Sequence, residues 1–278
     1  MLRLAVLLLL LLLSALPPGE AAPLLQLSDA IIDQGRALRV TVRGTLPDGT
    51  EVRFAGRRWP LYGAGGLHLT YVAADARTAA GAYALSVVAQ DRVLARRTVR
   101  VRWVAWRQRR LSLDPDKAAL FTPEMVAEEQ RKVAAALQVL EPRQRWEGAF
   151  LLPVDAPVSS PYGVQSVYNG TVRGFHRGTD FAAPEGTPVR AANHGIVRLA
   201  EPLPLSGDAV FVDHGLGVLT GYFHMSRILV TPGQRVRRGD LVGRVGSTGV
   251  TTGAHLHWAL RINGLYVDPL PWSAEGAP

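Results

Sequence analysis

Three short runs hold the side chains that could do chemistry in this chain: His176-Arg177-Gly178-Thr179-Asp180, Tyr222-Phe223-His224 and His255-Leu256-His257. Four of the seven histidines fall in them. Imidazole and carboxylate are the usual protein ligands of zinc, and two or three of them with a water make a hydrolytic site. Calcium and magnesium prefer shells made of oxygen alone, so this donor mix suits zinc better.

The elements that must position these groups can be read from periodicity. If 255–257 is extended, His255 and His257 share one face and Leu256 turns to the other. That geometry does not say which of the two would bind a metal. His176 and Asp180 would meet on a helix, but Gly178 between them and Pro184 beyond argue for an extended or looped segment. Gly178 also allows backbone to lie close to a metal.

Around the runs, the chain from about 147 onward reads as short strands punctuated by Gly and Pro. The candidates are Val189 to Leu199, Ala209 to Val212, Val218 to Phe223, Leu241 to Val245 and His255 to Ile262. Between about 24 and 104 the pattern is also period two. Leu38, Val40 and Val42 alternate with arginine and threonine, Tyr83, Leu85 and Val87 form another alternating run, and Val99, Val101 and Trp103 alternate with Arg100 and Arg102. Turns are expected at 46–49 and 63–66. This spacing predicts an immunoglobulin-like β-sandwich.

Residues 105–146 break the pattern and read as a helical linker. Thr122-Pro123 is an N-cap followed by proline at the first helical position. Val126, Val133, Leu137 and Leu140 form an apolar stripe, Glu128 and Lys132 can pair, and Glu141-Pro142 ends the helix. The stripe is expected to pack on a neighbouring domain.

The three runs, taken with their flanks, resemble a known family. The segment 176–189, His-Arg-Gly-Thr-Asp-Phe-Ala-Ala-Pro-Glu-Gly-Thr-Pro-Val, resembles the HxGxDxAAPxGTPV signature of LytM/lysostaphin-type metallopeptidases, family M23. The segment 246–258 resembles their GxTGxSTGPHLHF signature, and Tyr222 to Ser226 resembles a YxHLS run. The likeness spans about 155–270. It implies a C-terminal all-β M23 peptidase domain with one zinc ion per chain. His176, Asp180 and His257 would be the zinc ligands, and His224 and His255 the catalytic histidines, their two roles undivided. It further implies hydrolysis of peptidoglycan peptides by a D,D-endopeptidase. Some relatives have lost ligands and activate other wall hydrolases; this sequence keeps the full set. Ala254 and Trp258 replace the usual proline and phenylalanine, and Ala259 stands where many relatives have glutamate. Ser159 to Gly163 matches the usual start of the domain only loosely.

Composition sets the outer limits. Residues 1–22 combine a basic start, a leucine run and small residues at Ala21-Ala22, the pattern of a secretion signal too short to span a bilayer. The expected division is signal 1–22, sandwich 23–104, linker 105–146, peptidase domain 147–272 and tail 273–278. The expected location is the periplasm or cell envelope, with no transmembrane anchor. The chain has no cysteine, which excludes disulfides and lipidation at a signal-peptide cysteine. Its net charge of +8 comes almost entirely from arginine, lysine occurring only at Lys117 and Lys132. Such charge in a secreted protein favours anionic wall polymers. Arg96, Arg97, Arg100, Arg102, Arg107, Arg109 and Arg110 are the candidates for that contact. No recognition motif accompanies them, so nucleic acid is not the expected partner. Residues 230–246 resemble lipoyl and biotinyl carrier domains, but the absence of lysine after Lys132 excludes cofactor carriage. His68, His194 and His214 read as structural.

Overall fold

The computed structural model describes residues 22–111, 116, 122–138, 140–168 and 171–278. The expected signal segment lies outside them, apart from Ala22. No described helix is long and apolar enough to cross a membrane.

The chain is mainly β. Its N-terminal part forms two sheets. One runs in the order Leu24–Leu27, Ala37–Arg43, Leu67–Ala73, Tyr62–Ala64. The other runs Ile31–Asp33, Arg92–Arg102, Gly81–Ala89, Glu51–Phe54, Arg57–Pro60. Alternation decides what they bury: Leu38, Val40 and Val42 from the first and Leu85, Val87, Val99 and Val101 from the second enter one core. Trp103 departs from the expected alternation and is 70% exposed, because its strand ends at Arg102. Trp106 turns inward instead, edge-on to Tyr162 at 5.8 Å.

The linker is less helical than its composition suggests. Gln108–Leu111 is a strand, parallel to Gln165–Tyr168, which pairs in turn with Thr171–Phe175. The helix is Pro123–Ala136, capped by the Thr122 hydroxyl accepting from Met125 N–H, and it stops short of Glu141-Pro142. None of its residues is fully buried. Val133, Ala136 and Leu137 rest against a small cluster around Phe211 and Phe223, so the stripe does pack on the C-terminal sheet. Lys132 lies 3.6 Å from Glu128 and 3.7 Å from Glu201.

The C-terminal sheet runs Val158–Ser160, Thr179–Phe181, Leu256–Ile262, Val218–Ile228, Gly207–Gly215, Gly195–Leu203, Arg235–Val236. Its register sets Asp180 opposite His257 on one side, and Phe223 opposite His257 on the other. The expected strand from Val189 to Leu199 is instead two, Pro188–Arg190 and Gly195–Leu203.

The two parts share a core. Trp272 packs on Tyr71 at 5.6 Å and on Phe150 at 5.5 Å, and Trp146 on Tyr71 at 5.7 Å. Polar contacts align with it. Asn263 donates to Tyr71 O at 3.1 Å and accepts from the Tyr62 hydroxyl at 2.9 Å. The Tyr162 hydroxyl accepts from Ala76 N–H and donates to Tyr266 O.

Candidate metal centre

The ring of His176, on the loop after Thr171–Phe175, is fixed by Ser160 and Pro161. Its Nδ1 lies 2.9 Å from Pro161 O and 3.3 Å from Ser160 Oγ. A carbonyl can only accept, so Nδ1 carries the proton and Nε2 presents a lone pair. That lone pair is 2.9 Å from Asp180 Oδ1 and 3.0 Å from His257 Nδ1, which is itself 2.7 Å from Asp180 Oδ1. Three donor atoms thus converge, one each from His176, Asp180 and His257. They are acceptor-rich: at most one proton, on His257 Nδ1, could bridge them while both rings are neutral. A cation satisfies all three at once. This is the fit a zinc ion requires, a carboxylate and two imidazoles with room left for a fourth ligand.

Gly178 makes the convergence possible. A Cβ there would collide with Trp258 O and lie 2.8 Å from His257 Nε2. Backbone at Gly178 lies close to the neighbouring strand and to the ring of His257.

Two further imidazoles face the same place. His255 has Nδ1 2.8 Å from Gly253 O and 3.1 Å from Thr251 Oγ1, leaving Nε2 as its free lone pair, 3.8 Å from Asp180 Oδ1. His224 has Nδ1 2.9 Å from Thr248 O, so its Nε2 is also an acceptor. The two rings are 5.0 Å apart. His224 sits at φ 59°, a left-handed backbone conformation that a side-chain-bearing residue adopts at a cost of about 1–3 kcal/mol. Its N–H is tied to Ser206 O at 2.9 Å. Strain of this kind turns the side chain off the regular alternation of Val218–Ile228 and into the cleft.

The electrostatics favour neutral histidines around a carboxylate. Burial pushes His224 down to about 3, with His255 and His257 adding repulsion. Burial also lowers His257, against the pull of Asp180. Burial raises the Asp180 carboxyl, but hydrogen bonds and charge from His176 and His257 outweigh it and hold the group well below the usual carboxylate range. Neutral imidazole and ionised carboxylate are the forms that bind metal.

The cleft in front of these groups has a volume of about 540 Å³. The sequence analysis missed two of its wall residues. Glu129, on the helix, accepts from Leu205 N–H, Ser206 N–H and the Ser206 hydroxyl. Arg109, grouped above with the surface arginines, reaches inward instead, its Nη1 3.8 Å from Asp180 Oδ2. Both come from the linker, where no local signal marks a residue that meets the site only in three dimensions. His214 is buried, with Nδ1 2.7 Å from His194 O and Nε2 2.8 Å from Thr220 Oγ1, apart from the cleft and consistent with a structural role.

A mainly β fold with Asp180 and His257 on adjacent strands, and His176 on the loop between Phe175 and Thr179, has the form of a metallopeptidase centre. Residues 174–269 match peptidase family M23, so this chain carries an M23 domain. Two relatives from Vibrio cholerae are peptidoglycan DD-endopeptidases. ShyC is 42% identical over 34% of this chain and 22% of its own length, and ShyA is 40% identical over 42% and 28%. The chain therefore spans about a quarter of the curated relatives it matches. A crystal structure from Pseudomonas aeruginosa, of a protein assigned to peptidase M23, is 29% identical, with a TM-score of 0.60. It aligns with 80% of this chain and 86% of its own, well beyond the family segment.

Proposed function

We propose that this protein is a secreted zinc-dependent endopeptidase that hydrolyses peptide cross-links of peptidoglycan, as a D,D-endopeptidase. The observation that carries this reading is the convergence of His176 Nε2, Asp180 Oδ1 and His257 Nδ1, with two more imidazoles presenting lone pairs to the same cleft. The relatives' activity supports the substrate class.

In this reading His176, Asp180 and His257 hold one zinc ion. When bound, zinc supplies Lewis-acid chemistry, lowering the pKa of a water towards ~7 and polarising the scissile carbonyl. Everything else falls to the protein. The tautomers fixed by Thr248 O and Gly253 O leave both His224 Nε2 and His255 Nε2 able to take a proton. One accepts the proton of the attacking water, and the other steadies the developing negative charge or returns a proton to the leaving amine.

The domain division given by the sequence, signal 1–22, sandwich 23–104, linker 105–146, peptidase domain 147–272 and tail 273–278, belongs to the same proposal. So does an envelope location, in which exposed arginines of the sandwich adhere to anionic wall polymer. Incubation of zinc-loaded protein with purified sacculi is the test. New amino ends and released fragments, with the cut bond identified by mass spectrometry, support it. Intact sacculi would point instead to a non-enzymatic regulator of wall hydrolases.

A further inference from the structure

Arg109 enters the cleft from outside the family segment. Its strand, Gln108–Leu111, lies parallel to Gln165–Tyr168, the central strand of a three-stranded sheet whose far strand, Thr171–Phe175, leads into His176. Its Nη1 is 3.8 Å from Asp180 Oδ2, beyond hydrogen-bonding distance. Asp180 makes its short contacts to the imidazoles through the other oxygen, Oδ1. The Arg109 side chain is only 32% exposed, and its Nε is buried with no hydrogen-bond partner among the described residues. Glu129, the other acid lining the cleft, is committed to Leu205 and Ser206. A guanidinium held this deep, with so few bonds to the described residues, leaves donors for an anion, and its planar fork suits a carboxylate above all.

We propose that Arg109 is a specificity residue that binds a free carboxylate on the leaving side of the scissile amide. The inference rests on the endopeptidase reading and names its substrate class: cross-links whose leaving nitrogen is attached to a carbon that itself bears a carboxylate. A D-alanine joined to a diamino acid at a centre that keeps its carboxyl group has this form. The acyl side of that bond offers only a methyl group next to the reacting carbonyl, so the nearest anion is on the leaving side. A polyglycine bridge has no charge there and would leave Arg109 unpaired.

The test uses full-length zinc-loaded protein and two cross-linked muropeptide dimers, identical except that the leaving-side carboxylate is free in one and amidated in the other. The wild type is expected to prefer the free acid in kcat/KM by about 10- to 100-fold, the scale of one charge-assisted pair. Arg109→Gln should lose that factor on the free acid, mainly through KM, and leave the amide within about two-fold. Arg109→Lys should restore part of it. Zinc stoichiometry should stay unchanged in both variants. Equal losses on both dimers, or lost zinc, would overturn the proposal in favour of a residue that only positions Asp180. Gains on both would overturn it in favour of a residue that obstructs the cleft. Failure of the endopeptidase reading looks different: the loaded wild type cuts neither dimer. Calorimetric binding of the free-acid and amidated leaving fragments then still decides, since Arg109→Gln must weaken only the former.

Discussion

His255 and His257 stand two residues apart beside the same cleft, yet they meet Asp180 differently. The nearest ring nitrogen of His257 is 2.7 Å from Oδ1 and that of His255 is 3.8 Å away. His255 lies just outside the regular strand Leu256–Ile262, in a single bridge to Gly246, and its ring is drawn back by Gly253 O. In the proposed reading the near ring coordinates and the far ring handles protons.

That difference predicts two outcomes from neighbouring substitutions. His257→Ala and Asp180→Ala should purify with less than a tenth of an equivalent of zinc, since a catalytic site has only three protein ligands to lose. His255→Ala should keep about one equivalent and lose at least about 100-fold in turnover, the usual contribution of a positioned proton-transfer group. Metal analysis alongside a cleavage assay reads both. Full zinc in His257→Ala would sink the ligand assignment.

Gly178→Ala should damage the site without touching a candidate ligand. The added methyl would strike Trp258 O and the His257 ring, so either the loop carrying His176 or the strand carrying His257 must move. Overpacking of this kind costs about 1–3 kcal/mol. The expected result is a lower unfolding temperature and zinc released at lower chelator concentration. An alanine variant that matches wild type in both measurements would show that the contact is slack.

Much of this was legible in the sequence where residues act locally. The alternation around Leu38–Val42 and Leu85–Val87 placed the sandwich core, because burial of one sheet face is a local property. The three histidine runs were visible because their residue types are rare and closely spaced. What escaped depends on long-range placement. Arg109 looked like one of a row of solvated arginines, and only the pairing of its strand with 165–168 turns it inward. Glu129 carries no local signal, because its partners Leu205 and Ser206 reach it only in three dimensions. The left-handed backbone at His224 left no mark at all, since nothing in Tyr222-Phe223-His224 demands it.

The two β parts should unfold as one. Trp272 is 2% exposed and joins Tyr71 of the sandwich to Trp146 and Phe150. Trp272→Ala should therefore cost about 3–5 kcal/mol. Denaturant melts followed by fluorescence and by far-UV circular dichroism should coincide in the wild type and separate in the variant, as the sandwich loses its partner. Separate transitions already present in the wild type would refute a shared core.

His214 should give the protein a stability loss in mild acid that is independent of metal. Burial lowers its folded-state pKa to about 4 from an ordinary value near 6.5, and only the hydrogen bond to His194 O opposes this. Between those two values the unfolded chain binds the extra proton and the folded chain does not, so stability falls as pH drops from about 6.5 towards 4. A difference of this size is worth on the order of 3 kcal/mol across the interval. His214→Gln should be less stable than wild type at pH 7.5, having lost ring contact with Phe150 at 5.0 Å. Its stability should nevertheless decline less between pH 6.5 and 4.5. His224, also lowered by burial, contributes a similar slope to both proteins in the absence of zinc and cancels from the comparison. Urea unfolding free energies at four pH values would decide, and parallel curves for the two proteins would show that His214 is not the acid-sensitive group.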